Sequence, residues 1–319
     1  MTAQVTRKKP YRFIDLFAGI GGIRIACERN GGECVFTSEW DKYAQKTYQE
    51  NFGEHPKGDI TNIDEKDIPA HDFLNAGFPC QPFSTIGKRE GFKHKTQGTL
   101  FFDVVRILKY HKTKMILLEN VPGLVSHDNG NTIAVIEDVL ENELGYKVFH
   151  QVVNAADYGV PQERKRIYIV GFFKDEYDDD LQFEWPEPES KHKYINEFLE
   201  EHPSGYGISK HLQNSYLFKK NDGRPQLIDK SSKIKVKTLV ATYHKIQRLT
   251  GTFVKDGETG LRLLSENECK AIMGFPKSFK VPVSRTQMYR QFGNSVAIPV
   301  VEKIIFQILK TATKYKKGS

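Results

Sequence analysis

A cysteine stands between two prolines in the run Gly77-Phe78-Pro79-Cys80-Gln81-Pro82-Phe83-Ser84, at the end of an apolar stretch. Prolines that close together suit neither a helix interior nor a central strand, so they fix a stiff loop that presents one sulfur. A cysteine that only filled a core would need no such scaffold, and the pattern points to a positioned nucleophile. The other three cysteines, Cys27, Cys34 and Cys269, form no Cys-x-x-Cys pair. Zinc-type spacing is absent, so no metal site is expected and the thiols are expected to be reduced.

Glu119 lies in Leu117-Leu118-Glu119-Asn120-Val121-Pro122. A carboxyl flanked by apolar residues resists ionisation, which suits a group that must donate a proton near neutral pH. A helix cap or a structural ion pair is the other use of such a residue. Gln162-Glu163-Arg164-Lys165-Arg166 carries two guanidinium groups able to lower a thiol pKa and to hydrogen-bond a substrate oxygen. The same cluster would also suit a solvated strand edge.

Phe17-Ala18-Gly19-Ile20-Gly21-Gly22 reads as a glycine turn between a strand and a helix, where a ligand can approach the backbone. Glu39 follows Gly19 by twenty residues and falls at the end of the next strand, where a carboxylate accepts hydrogen bonds from ribose hydroxyls. Dinucleotide spacing would require Gly or Ala where this chain has Arg24, and no basic group replaces it for a pyrophosphate. A nucleoside without phosphates, such as S-adenosylmethionine, fits better than a nicotinamide dinucleotide. Trp40 could cover an adenine face or simply pack in the core, and Asp59-Ile60 could give adenine a hydrogen-bond partner and an apolar contact.

These groups need a scaffold that brings strand ends together. Strands are expected over residues 12–17, 33–38, 73–76, 115–118, 147–153 and 166–173, with helices over 23–30, 42–51, 100–110 and 133–143. That alternation argues for an α/β fold with a doubly wound, Rossmann-like sheet, whose ligands sit at the carboxyl ends of the strands. Cys80, Glu39 and Glu119 all fall just past such ends. Ser265 with Glu268 three residues on predicts a capped helix over 265–273, and a final amphipathic helix is expected over 297–309, with Pro299 in its first turn. The chain has 319 residues and a net charge of +7, unevenly spread. Residues 175–201 hold eleven acidic residues against two lysines, and residues 205–255 hold eleven Lys/Arg against Asp222 and Asp229. The basic stretch is a candidate phosphate-binding surface or an ordinary solvated face. No apolar run approaches the roughly 18 residues of a membrane span, and no signal-peptide core is visible, so a soluble cytoplasmic protein is expected.

Taken in order, the motifs resemble those of the DNA (cytosine-5) methyltransferases of bacterial restriction-modification type. They run from Phe13-Ile14-Asp15-Leu16-Phe17-Ala18-Gly19-Ile20-Gly21-Gly22 through Ser38-Glu39-Trp40-Asp41, Gly58-Asp59-Ile60, the Cys80 loop, Gly98-Thr99-Leu100-Phe101-Phe102, Glu119-Asn120-Val121 and Gln162-Glu163-Arg164-Lys165-Arg166-Ile167-Tyr168. Arg262-Leu263-Leu264, Met273-Gly274-Phe275-Pro276 and Gln291-Phe292-Gly293-Asn294-Ser295-Val296 complete them. The resemblance covers about residues 11–309. It implies that the chain methylates carbon 5 of a cytosine in a specific double-stranded DNA site, with S-adenosyl-L-methionine as cofactor and the base flipped out of the helix. Cys80 would be the nucleophile, Glu119 would contact N3, Arg166 would hydrogen-bond O2, and Arg164 would sit near Cys80. Phe17, Gly19, Gly21, Glu39, Trp40, Asp59, Ile60, Leu100 and Asn294 would line the cofactor pocket.

The resemblance also implies a mobile loop over residues 84–95, in which Ser84, Lys88 and Arg89 would meet DNA and Gly87 and Gly91 would serve as hinges. It divides the chain into a catalytic segment over 1–184, a target recognition domain over 185–275, and a closing segment over 276–319. Within the recognition domain, Lys235, Lys237, Thr238, Tyr243, His244, Lys245, Gln247 and Arg248 are the candidate DNA-contacting residues, Thr238-Leu239 matching a pair that anchors this region in the family. A monomer is expected, with a cognate restriction endonuclease as an unattached companion and no membrane partner.

Overall fold

The computed structural model describes residues 10–79 and 100–318. The first half alternates as β1 (Arg12–Leu16), α1 (Gly22–Arg29), β2 (Glu33–Ser38), α2 (Lys42–Phe52), β3 (Phe73–Ala76), α3 (Phe101–His111), β4 (Met115–Asn120), α4 (Gly123–Ser126), α5 (Asn131–Asp138), β5 (Tyr146–Asn154), β6 (Gln162–Glu163) and β7 (Lys165–Phe173). Six of these strands make one sheet in the order β2-β1-β3-β4-β7-β5. β2, β1, β3 and β4 run parallel, whereas β7 runs antiparallel to both β4 and β5. The strand order turns back at β1, which lies between β2 and β3, and an open α/β sheet binds its ligands outside the carboxyl ends at such a point.

Side chains alternate across the sheet because the strand period is two. Phe13, Phe73, Met115 and Leu117 point to the side covered by α1 and by the long final helix, where they join one apolar cluster. Ile14, Leu16, Leu74, Ala76, Ile116 and Leu118 point to the other side and pack under α3 and α5. Three polar residues interrupt the first face, and they are neighbours in register. Asp15 pairs with Thr37 on β2 and with Asn75 on β3, and all three are buried. Among the described residues, both carboxylate oxygens of Asp15, Thr37 Oγ1 and Asn75 Oδ1 have no hydrogen-bond partner.

The second half is sparse in regular structure: α6 (Lys210–Leu212), β8 (Gln226–Ile228), β9 (Val236–Lys237) and β10 (Thr252–Val254) precede α7 (Glu266–Met273), α8 (Arg285–Asn294) and α9 (Ile298–Lys314). β10 pairs with β8, and β9 pairs in parallel with β6, with Gln162 opposite Val236 and Glu163 opposite Lys237. That second pair fastens the basic stretch to the segment that leads into β7. α7 opens as its sequence predicts, Ser265 and Glu268 capping each other's backbone. α9 extends five residues beyond the expected end, and the expected helix over 133–143 divides into α5 and a wider turn over Val139–Glu143.

Against the expectation that no stretch reaches membrane-spanning length, Arg285–Lys314 passes by length and composition. It breaks into α8 and α9 at residues 295–297, and its apolar window is mostly buried, as a core helix requires.

Candidate active site

The turn after β1 is held by backbone geometry that glycine permits. Phe17, Gly19 and Gly21 all take positive φ, at 56°, 55° and 82°. A Cβ on Gly21 would fall 2.3 Å from the Phe52 ring, whereas one on Gly19 would meet nothing within 4 Å. Gly21 is therefore a packing glycine, and Gly19 leaves its backbone open to a ligand. Glu39, just past β2, closes the turn from the other side. Its Oε2 accepts from Gly19 N at 2.7 Å and its Oε1 from Asp41 N at 2.8 Å. Burial raises its pKa, and those two amide hydrogen bonds oppose the rise. Trp40, next in sequence, is 74% exposed, so it is not a core tryptophan.

A cleft of about 390 Å³ opens here. One wall is Phe17, Gly19, Ile20, Glu39, Trp40, Asp41 and Ala44; the ends of β3 and β4 supply Gly77, Phe78, Pro79, Glu119, Asn120 and Val121, and β7 supplies Arg166. Asn120 knits these strand ends together, donating from Nδ2 to Phe78 O at 2.9 Å and accepting from Val121 N at 2.8 Å. It thereby fixes the chain just ahead of Cys80. Glu119 faces Arg166, with Oε1 at 3.0 Å from Nε. Burial pushes the Glu119 carboxyl above its ordinary pKa, against the pull of Arg166 and then Arg164. The pair puts a reluctant acid beside a cation at one end of the cleft.

Arg164 is not available to a ligand in this way. Its side chain is fully buried and donates to Leu239 O at 3.0 Å, to Gly293 O at 3.0 Å and to Ser295 O. Burial and the neighbouring Arg166 lower its pKa to about 9. Arg164 is a brace that ties the start of β7 to the basic stretch and to the end of α8, and its expected neighbour Cys80 lies outside the described residues. Gly21, Asp59, Ile60 and Leu100 also lie off the cleft surface formed by the described residues. Asp59 caps the short helix that follows it by accepting from Thr61 N, Ile60 is buried, and Leu100 precedes α3. Cys80, Ser84, Lys88 and Arg89, and the hinge glycines Gly87 and Gly91, lie outside the described residues.

The recognition candidates divide sharply. Tyr243 is 5% exposed, its hydroxyl donating to Thr252 O and accepting from Leu264 N. Arg248 is 8% exposed and is committed to Leu217 O, Lys220 O and Asp222. In this structure both side chains serve as internal supports, with the Tyr243 hydroxyl and Arg248 Nε and Nη2 bonded inside the fold. Thr238 Oγ1 donates to Glu163 O, Lys237 Nζ to Leu249 O, and Lys235 Nζ lies 3.6 Å from Asp157. His244 Nδ1 is 3.2 Å from Ala241 O. Lys245 and Gln247 are exposed.

The wall that sequence reasoning missed is α8. Gln287, Arg290, Gln291 and Asn294 line the cleft, spaced i, i+3, i+4 and i+7 along one helical face. Of these, Gln291 and Asn294 belong to a quoted motif, and only Asn294 is expected at the cofactor pocket. The signal for the rest was present: Ser284 caps the helix, and the apolar Met288 and Phe292 alternate with the polar face at helical spacing.

Residues 11–310 match the model of the C-5 cytosine-specific DNA methylase family. The chain is 61% identical over 307 residues to the Type II methyltransferase M.MspI of a Moraxella species, an alignment covering 95% of this chain and 72% of the relative. It is 62% identical to M.BsuFI of Bacillus subtilis, covering 92% and 71%, and 42% identical to M.HhaI of Haemophilus parahaemolyticus, covering 93% and 94%. Among solved structures, the DNMT2 of Spodoptera frugiperda superposes with a TM-score of 0.75 at 22% identity, over 94% of this chain and 99% of that one. The methyltransferase EhMeth of Entamoeba histolytica gives 0.76 at 22% identity, over 95% and 99%. At that identity these two likenesses speak for the fold.

Proposed function

The chain belongs to the C-5 cytosine-specific DNA methylases, as a DNA cytosine-5 methyltransferase of the bacterial restriction-modification type, and from that premise we propose how it acts: it flips one cytosine out of a specific duplex site and adds Cys80 to carbon 6 while S-adenosyl-L-methionine occupies the cleft. The observation that carries this reading is one cleft lined together by a half-buried Glu119–Arg166 pair, the carboxylate of Glu39, an exposed tryptophan and Asn294. The donor set suits a nucleoside: Glu39 keeps lone pairs for ribose hydroxyls, Trp40 offers a ring face, and the backbone at Gly19 is open. When bound, the cofactor supplies an electrophilic methyl group on a sulfonium sulfur.

Each residue of the chain then has a defined task. The Cys80 thiolate forms a bond to carbon 6 of the cytosine. Glu119, whose burial raises its carboxyl pKa above the ordinary range, donates a proton at N3 and so draws the ring electrons toward that nitrogen as the sulfur adds. Arg166 hydrogen-bonds O2 and holds the base in the plane that Glu119 requires. Carbon 5 becomes nucleophilic only in this adduct. After its methylation, a base such as water takes the carbon 5 proton, N3 returns its proton to the Glu119 carboxylate, and departure of the thiolate restores the aromatic ring. Phe17, Gly19, Glu39, Trp40 and Asn294 hold the cofactor, with Gly21, Asp59, Ile60 and Leu100 shaping the turn and helix starts behind them.

Residues 1–184 and 276–319 make the catalytic unit in this reading, and residues 185–275 the target recognition domain, working in the cytoplasm as a monomer beside a cognate endonuclease. The loop with Ser84, Lys88 and Arg89 would close over the flipped base. Bisulfite sequencing of a plasmid treated with the enzyme and S-adenosyl-L-methionine tests the reaction and its site together. Protected cytosines confined to one short sequence are expected; uniform conversion would overturn the reading.

A further inference from the structure

The charged groups around the cleft are Glu39, Asp41, Glu119, Arg166 and Arg290. Four of them are already committed. Glu39 accepts from Gly19 N and Asp41 N, Asp41 caps α2, and Glu119 and Arg166 hold each other. Arg290 is exposed, and its side chain makes no hydrogen bond or ion pair among the described residues. A guanidinium at a cleft wall with all its donors free is suited to an anion that arrives with a ligand.

Its place along the cleft narrows the choice. Gln291, the next residue, donates to Tyr43 O at 2.9 Å and accepts from Thr47 Oγ1 at 3.0 Å. This stretch of α8 is therefore seated on the start of α2, beside the Glu39–Trp40–Asp41 wall. Arg290 also shares its helical face with Asn294, one turn further on. We propose that Arg290 binds the carboxylate of the cofactor's amino-acid end, making it a specificity-determining residue for a nucleoside that carries an α-amino acid. The proposal rests on the reading of the cleft as the S-adenosyl-L-methionine site.

The test is direct binding by calorimetry, without DNA and without turnover. Two ligands are compared, S-adenosylhomocysteine and its decarboxylated analogue, on the wild type, Arg290→Gln and Arg290→Lys. Losing a charge-assisted pair should weaken S-adenosylhomocysteine by roughly 10- to 100-fold in Arg290→Gln and leave the analogue unchanged, with partial recovery in Arg290→Lys. Equal binding of S-adenosylhomocysteine by wild type and Arg290→Gln overturns the proposal. So does an equal loss for both ligands, which would mean damage to the pocket. A duplex-binding arm covers the other anion: unchanged cofactor binding with weaker DNA binding and a shallower salt slope would assign Arg290 to a phosphate and overturn the carboxylate. Failure of the wild type to bind either ligand would instead defeat the reading of the cleft itself.

Discussion

The strand-end cleft and the basic stretch over 205–255 use their polar residues in opposite ways. At the cleft, charged groups such as Glu39, Glu119 and Arg166 stay beside the space they would serve, and the backbone around them is fixed by a six-stranded sheet. In the basic stretch the regular elements are at most three residues long through residue 254, apart from one wider helical turn, so side chains must supply order that backbone ladders do not. Arg248 satisfies the carbonyls of Leu217 and Lys220, and Tyr243 bridges Thr252 and Leu264. A region poor in ladders recruits its Arg and Tyr as struts, and local charge then overstates the cations left for a partner.

The largest effects should come from the cleft side. Cys80→Ser is expected to lower methylation by more than roughly 10³-fold, as loss of a covalent nucleophile does, while S-adenosylhomocysteine binding persists. Near-normal turnover would remove the covalent step. Glu119→Gln should cost about 10²- to 10³-fold in kcat, within the range of general acids, with little change in cofactor affinity. A similar loss from any exposed lysine of the basic stretch would erase the contrast between the two regions.

Asp15 tests the cleft side through stability. Burial raises its carboxyl from 3.8 to about 7, with Arg24 opposing and Glu39 adding to the rise. The folded state therefore binds this proton more tightly than the unfolded chain. Below the unfolded value the group is protonated in both states; as pH rises toward 7 the unfolded chain gains by releasing the proton, and stability falls by at most about 1.4 kcal/mol per pH unit. Asp15→Asn should flatten that decline, measured as urea unfolding at intervals between pH 4.5 and 7.5. A parallel decline in the variant would place the pH dependence elsewhere.

Much of the cleft was legible before the fold. Gly19 and the carboxyls of Glu39 and Glu119 at strand ends are local patterns whose meaning is set by the elements beside them, and the alternation of strands and helices located those elements. Arg164 was not legible, because its partners are the carbonyls of Leu239, Gly293 and Ser295, brought near only by tertiary packing. Arg24, which excluded a dinucleotide spacing, turns out to be buried against Glu28, Glu54 and Tyr48. A charged residue's sequence shows its charge and conceals whether the fold has already used it.

That distinction is sharpest between two residues three apart. Arg248→Ala removes a buried guanidinium and leaves two carbonyls short of a donor, at about 1–3 kcal/mol each where no water replaces it. Its expected signature is a lower Tm and a DNA affinity that recovers at low temperature, with the salt slope unchanged. Lys245 is exposed, and no side-chain partner holds it among the described residues. Lys245→Ala should leave Tm within error and weaken DNA binding only several-fold, uniformly across sequences, with the slope of log K against log salt reduced by about one. Both are read from the same two measurements, a melting curve and a salt titration. If Arg248→Ala changes the salt slope while Lys245→Ala changes Tm, the two roles are reversed and the basic stretch presents to DNA the face assigned here to its interior.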